Sequence, residues 1–312
     1  MGKLVAAMAS SHAFALMEPS KWDDFRRLNR EMYQRLYGVV PPILPQIEEE
    51  APQSIERRYA RVRLAHDRLR QQLREARPDV LLVVGDDQNE HFKDENIPQI
   101  AIYNGGDFLT SPDGKRYTSQ SESASLLLRR LVKEGFDVSL CSRFPNDRLV
   151  SHAHAQVLER FVPERDIPVV PIFVNGIHVP ALEPSRCHSL GAALRNIISA
   201  DLPADARVAV VGSGGLSHFS AGYPWREYRG PYHYGAISVD FDRSLIAEMT
   251  RGEGEKLASR LSSEDLLHHG EVEFRCWLVV LGMVGNTAVE MMAYEPFYRA
   301  IMGVGVARWN LQ

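Results

Sequence analysis

The sequence predicts an α/β fold: a single domain, 1–312, with a central, mostly parallel mixed sheet flanked by helices and a helical insertion at about 20–76, after the first strand. Three observations predict it. Short aliphatic or β-branched runs at 4–8, 80–84, 100–103, 138–141, 169–174 and 208–211 end abruptly in polar or glycine-rich residues. Most of these runs are separated by segments with apolar residues at helical spacing, the alternation that builds a sheet buried on both faces. A length of 312 residues suits one domain with a substantial core better than two complete ones.

The first run opens the chain as a strand, because residues 1–12 carry one lysine and a short apolar stretch that leads straight into a polar turn, unlike a secretion signal. Helical patterning then runs from about 22 to 76. Pro41, Pro42, Pro45 and Pro52 interrupt it, since proline lacks the amide hydrogen and clashes with the preceding turn. Two helices and a loop are expected there, the second over about 55–76, with Leu64, Leu69 and Leu73 on its apolar side and a solvated arginine- and glutamate-rich face. Further helices are expected at 119–134, 153–161, 185–199, 243–250 and 272–282.

Composition excludes several classes of function. A net charge of −4, with basic residues scattered among acidic ones, leaves no surface that would track nucleic-acid phosphates. No stretch approaches the roughly 20 apolar residues of a membrane span. Cys141, Cys187 and Cys276 are odd in number and widely spaced, which argues against a disulfide framework or thiolate zinc site and fits a reducing cytoplasm.

The chemistry concentrates where strand-like runs end, the place where ligands collect in open α/β sheets. His12 follows the first run behind Ser10 and Ser11, as a metal ligand or a hydrogen-bonded loop histidine. After the second run come Asp86, Asp87, Gln88, Asn89, Glu90 and His91, a cluster that binds a cation, caps a helix or stays solvated. Gly212 to Gly215 make a tight turn that presents His218, an acid/base candidate, without a phosphate-binding fingerprint. Glu273 begins a helical pattern, as a ligand or as a partner of the helix dipole. His152 and His154 diverge on a helix, so one functional and one structural histidine is expected.

Seven segments in order resemble the class III extradiol dioxygenases, the family of the protocatechuate 4,5-dioxygenase β subunit, and its gallate- and methylgallate-cleaving relatives. They are SSHAFALM at 10–17, VVGDDQNEHF at 83–92, HAHAQVLERF at 152–161, PVVPIFVN at 168–175, GSGGLSHF at 212–219, EVEFRCW at 271–277 and YEPFYR at 294–299. The resemblance implies Fe(II) held by two histidines and a glutamate, with positions left open for substrate and oxygen. By motif, His12 matches the first histidine ligand, Glu273 the carboxylate, His218 the catalytic histidine and His152 a second pocket histidine. The second histidine ligand of the family falls at Gln88 here. His91, three residues on, reaches the metal if the loop tightens into a helical turn, and Gln88 is the alternative.

The resemblance further implies ring opening of a catechol-type substrate, carboxylated or methoxylated, by O2. Arg299 or Arg226 would pair with a substrate carboxylate, and Tyr223, Trp225 and Tyr294 would wall an aromatic pocket. The partners implied are the aromatic substrate and O2, within a homo-oligomer, either with a small α-type subunit or with the insertion as a built-in cover. Two other classes stay open: a metal-free interaction protein, motivated by Gln88, and a hydrolase using zinc-bound water, since two histidines and a glutamate also suit zinc.

Overall fold

The computed structural model describes residues 1–114, 116–145 and 149–311. Its strands are β1 (Lys3–Ser10), β2 (Val80–Gly85), β3 (Ile100–Tyr103), β4 (Phe108–Leu109), β5 (Arg116–Tyr117), β6 (Ser139–Cys141), β7 (Val169–Val174), β8 (Arg207–Ser213), β9 (Val289–Phe297) and β10 (Met302–Trp309). Eight of them form one sheet in the order β6-β3-β7-β2-β8-β1-β10-β9, and β4 and β5 form a separate ribbon. β7, β2, β8 and β1 run parallel at its centre, whereas β10 and β9 continue it antiparallel. The predicted α/β class and mixed sheet are observed.

The helices are α1 (Trp22–Tyr37), α2 (Pro45–Glu49), α3 (Pro52–Ala76), α4 (Ser121–Lys133), α5 (His152–Phe161), α6 (Pro184–Asp201), α7 (Val239–Thr250), α8 (Gly254–Arg260), α9 (Ser263–His268) and α10 (Arg275–Val284). They cover both faces of the sheet because strand side chains alternate between them. Val80, Leu82 and Val84 of β2 face a core completed by α4, α6, α7 and α10, and Leu81 and Val83 face one completed by α3 and α5. Continuous burial along β2 and β7 explains their uninterrupted apolar runs.

Proline punctuates the insertion as expected. α1 ends at Gly38 with a left-handed φ of 73°, and α2 and α3 each start on a proline, where the missing amide hydrogen costs nothing. The inward face of α3 is Ile55, Tyr59, Val62, Leu69 and Leu73. Leu64 lies on the other side, about half exposed.

The hairpin β9–β10 was not among the expected strands. β9 carries Glu290, Glu295 and Pro296 on the edge of the sheet, where proline and charge are tolerated and where neither resembles a buried run. β10 contains Gly303, and a Cβ there would stand 2.5 Å from Asp242 Oδ2, so side-chain crowding excludes the residue types that normally signal a strand.

Two histidines are buried in this framework. The His66 ring meets the Ser10 hydroxyl at 3.0 Å, and His154 sits between the Ser151 hydroxyl at 2.8 Å and the Ile172 carbonyl at 3.0 Å. Burial lowers both from 6.5 to about 3. Above pH 6.5 both are neutral whether folded or unfolded, so they cost nothing. As pH falls below 6.5 the unfolded chain takes up protons that the folded chain refuses, and stability drops toward a slope of about 1.4 kcal/mol per pH unit per histidine. The urea midpoint is therefore expected to fall steadily from pH 7 to pH 4.5, more shallowly in His66→Gln. An equal slope in that variant would show that His66 does not titrate in this way.

Candidate active site

Three chain segments far apart in sequence meet at the carboxyl ends of β1, β2 and β8. β1 and β8 pair with Ser10 opposite Ser213, which sets His12 beside the Ser213 side chain. The Ser213 hydroxyl donates to the Ala153 carbonyl at 2.5 Å, so at 3.2 Å it accepts from His12 Nδ1. That leaves Nε2 of His12 as the lone-pair nitrogen, turned toward the carboxylates. Burial lowers His12 to about 4, against the raising effect of Glu273, so the ring is neutral and able to ligate.

Glu273 lies in a 3₁₀ turn, Val272–Phe274, just before α10. Its Oε2 accepts from Gly215 N at 3.2 Å and stands 3.7 Å from His12 Nε2. Its Oε1 accepts from Gln88 Nε2 at 2.7 Å and stands 3.5 Å from His218 Nε2. Burial alone would raise this carboxyl, but His12, His218 and His152 outweigh it and hold it well below its ordinary value. The turn after β8 must be glycine to allow this: Gly214 has φ 145°, and a Cβ there would stand 2.8 Å from both Cβ and the carbonyl oxygen of Glu273.

Asp86 completes the group. One donor atom each from His12, Asp86 and Glu273 lies within 4.8 Å of the others, with Asp86 Oδ1 3.9 Å from His12 Nε2. Asp86 is fully buried and neither of its carboxylate oxygens has a hydrogen-bond partner. Burial first, and the Glu273 charge second, raise its pKa well above the ordinary value. A buried, unpartnered carboxylate facing an imidazole lone pair and a second carboxylate fits a divalent cation, which would satisfy all three.

His218 and His152 flank this group. The Nδ1–H of His218 donates to the Leu216 carbonyl at 3.0 Å, which turns Nε2 toward Glu273. Burial lowers the His218 pKa, but the Glu273 carboxylate outweighs it and the net shift is upward. The His152 ring meets the His12 ring edge-on at 4.9 Å and pairs through Nδ1 with Glu90 at 3.0 Å. Burial opposes its charge, yet the Glu90 hydrogen bond raises it to about 9. A cavity of about 290 Å³ opens beside His152, lined also by Glu90, Thr110, Gln156 and Glu159.

The loop carrying His218 is clamped from behind. Asp242 accepts from Ser217 N at 3.1 Å, Ser217 Oγ at 3.0 Å and Tyr294 Oη at 2.5 Å. Glu271 is fully buried nearby, and burial first, then the Asp242 charge, push its pKa well above the ordinary value. Gly303 N donates to Ser217 O at 2.9 Å, and Leu216 N donates to Gly303 O at 3.0 Å. Tyr294 thus serves the clamp, not an aromatic wall.

The structure therefore brings His12, Glu273, His218 and His152 together and sets Gln88 against Glu273. His91 lines the cavity beside His152 but stays out of the donor group, which Asp86 joins instead. The cause is Asp87, whose carboxylate gathers the backbone N–H groups of Glu90, His91 and Phe92, each at 3.1 Å, into a turn that carries the His91 ring onto Phe144 at 4.5 Å. Arg299 also stands apart from the donor group: its backbone N–H donates to Glu50 at 2.7 Å and its guanidinium lies 3.4 Å from Asp23. Tyr223 and Trp225 sit in an aromatic cluster after His218, where Phe219 is 4.9 Å from Tyr223 and Trp225 Nε1 donates to Ser220 O at 2.8 Å.

Asp86 was read only as one member of the polar cluster after β2, and Ser213, Asp242 and Glu271 were given no role of their own. The one available signal was the period-2 alternation of β2, which continues through Gly85 and puts residues 86 and 88 on one side and 87 on the other.

One mixed sheet, covered by helices on both faces, thus gathers a histidine, two carboxylates and a second histidine at its strand ends, a donor set of the kind that can hold a divalent cation. A family model described as the catalytic LigB subunit of aromatic ring-opening dioxygenase matches residues 40–307, and the chain belongs to that family. It is 30% identical over 162 residues to a 2,3-dihydroxyphenylpropionate/2,3-dihydroxicinnamic acid 1,2-dioxygenase of Dechloromonas aromatica, covering 50% of this chain and 48% of that protein. It is 25% identical over 274 residues to a dioxygenase of the same description from Rhodococcus jostii, covering 74% of this chain and 84% of that one. This chain thus spans only about half the length of the first of these relatives. The crystal structure of an uncharacterized protein from Escherichia coli K12 shares the fold, with a TM-score of 0.54, 13% identity, and coverage of 98% of this chain and 100% of that one. The expected family holds, but the relatives named are not gallate dioxygenases.

Among the described residues no helix is long and apolar enough to cross a membrane, and the three cysteines are unpaired and buried.

Proposed function

We propose that this protein is an extradiol dioxygenase that opens the ring of a catechol-type substrate with O2, using Fe(II) held by His12 and Glu273. The observation that carries this reading is the approach of His12 Nε2 and His218 Nε2 to opposite oxygens of the one Glu273 carboxylate, at 3.7 and 3.5 Å, in a chain of this family. Iron, when bound, supplies the electronic link between an electron-rich catecholate and dioxygen that lets the spin-forbidden direct reaction be bypassed.

The protein residues do the rest. His12 offers a lone pair because Ser213 holds the proton on Nδ1. His218, with its Nδ1–H tied to Leu216, takes a phenolic proton on Nε2 and returns it during ring opening. His152, kept cationic by Glu90, offers a positive edge to a substrate or dioxygen oxygen beside His12. Tyr223 and Trp225 supply apolar surface for the arene. Helix α1 packs on that surface, with Tyr37 Oη donating to Tyr223 O at 3.2 Å and Tyr33 edge-on to Trp225 at 5.6 Å, which supports the insertion as a built-in cover. The buried Asp86 carboxyl, with neither oxygen hydrogen-bonded, weighs against a metal-free interaction protein, because leaving buried polar atoms unsatisfied is costly.

The test is oxygen uptake by anaerobically Fe(II)-loaded protein with catechol, 2,3-dihydroxyphenylpropionate, protocatechuate, gallate and 3-O-methylgallate. One O2 per substrate and a ring-opened product are expected with at least one of them. Iron-loaded protein that consumes no oxygen with any member would overturn the reading, and hydrolytic activity supported by zinc alone would replace it.

A further inference from the structure

We infer that Asp86 supplies the third protein ligand, so that the cation is held by one histidine and two carboxylates, with Gln88 bracing Glu273 instead of ligating. The inference rests on the metal-dependent reading above and concerns only how the metal is held.

Four observations carry it. Asp86 leaves β2 immediately after Gly85, fully buried, with both carboxylate oxygens unpartnered. Its Oδ1 is 3.9 Å from the His12 nitrogen that Ser213 leaves free to ligate. His12, Asp86 and Glu273 form one set of donor atoms mutually within 4.8 Å. Gln88, two residues on and on the same side, donates its amide N–H to Glu273 Oε1 at 2.7 Å, so the amide is engaged with a would-be ligand. His91, stacked on Phe144, does not enter the set.

The charge arithmetic differs from that of two histidines and one carboxylate. A divalent cation with two histidines and a carboxylate keeps a net charge of +1, whereas one histidine and two carboxylates neutralise it. A neutral, oxygen-rich set favours hard cations such as Mn(II), Fe(II) or Mg(II) over those that prefer nitrogen and sulfur. Gln88 then acts as a positioning residue: it fixes the carboxylate plane of Glu273, the role that hydrogen bonds to a ligand usually play.

Binding of Mn(II) alone to chelator-stripped full-length protein, followed by the loss of the free-ion signal in electron paramagnetic resonance, tests this without any turnover. Wild-type protein is expected to bind one Mn(II) per chain. Asp86→Asn is expected to weaken it by about a hundredfold or more, as His12→Ala does, and Gln88→Ala by about tenfold, within the range seen for outer-shell partners. Thermal unfolding separates this from simple structural damage. Removing an unpartnered buried carboxylate is expected to leave the metal-free melting temperature of Asp86→Asn equal to or above that of wild type, while its rise with Mn(II) disappears. Asp86→Asn that binds Mn(II) within threefold of wild type, or that unfolds well below wild type without metal, would overturn the assignment. Gln88→Ala that loses as much affinity as Asp86→Asn would instead make the amide a ligand. Oxygen uptake by a protein whose Mn(II) affinity ignores Asp86 would leave the dioxygenase reading standing and remove only this inference.

Discussion

Glu273→Gln is expected to hold no stoichiometric iron after anaerobic loading and to turn over a catechol at least about a thousandfold more slowly than wild type, equivalent to about 4 kcal/mol of barrier. The substitution keeps the shape of the side chain and one carbonyl oxygen, so the Gly215 N–H retains an acceptor and the turn before α10 is preserved. It removes the anion that His12 and His218 both approach, at 3.7 and 3.5 Å. Colorimetric iron content and an oxygen electrode read the two effects separately. One iron per chain together with turnover within tenfold of wild type would show that this carboxylate is not a ligand.

For His218→Asn the expected result is different: iron content unchanged and kcat lowered by about 10² to 10⁴, the usual contribution of a positioned acid/base group. In the proposed mechanism the neutral imidazole is the base, so the wild-type rate is expected to rise with pH as His218 deprotonates. In the metal-free protein the Glu273 carboxylate shifts that step upward. Its disappearance from the pH profile of the variant separates proton transfer from packing. A loss below tenfold, or an unchanged acidic limb, would assign the proton to another group.

Much of this site could be read in advance because its residues sit where strands end. β1, β2 and β8 are buried on both faces, so they read as unbroken apolar runs, and the first polar residues after them had to lie at the rim. His12 and His218 were visible in that way, whereas Glu273 and His152, at the starts of helices, drew their roles from their resemblance to family motifs. His91 was misjudged because residue spacing says which side chains share a helical face, not whether a helix forms. Here the Asp87 carboxylate caps three successive N–H groups, and the ring packs onto the buried Phe144 and Phe173. Arg299 lies off the donor group, its guanidinium 3.4 Å from Asp23, a pairing between residues 276 apart that no local pattern foretells. The hairpin β9–β10 went unseen because an edge strand with two glutamates and a proline, and a partner strand thinned by glycine, lack the composition of a buried strand.

The hairpin that was hardest to foresee governs when the site can exist. Ser11 N donates to Gly305 O, and Gly305 N returns a bond to Ser11 Oγ, both at 2.9 Å, one residue before His12. Segments 294 residues apart must therefore pair before either loop is fixed, and a chain cut before residue 302 would carry His12 and His218 without the backbone that holds them.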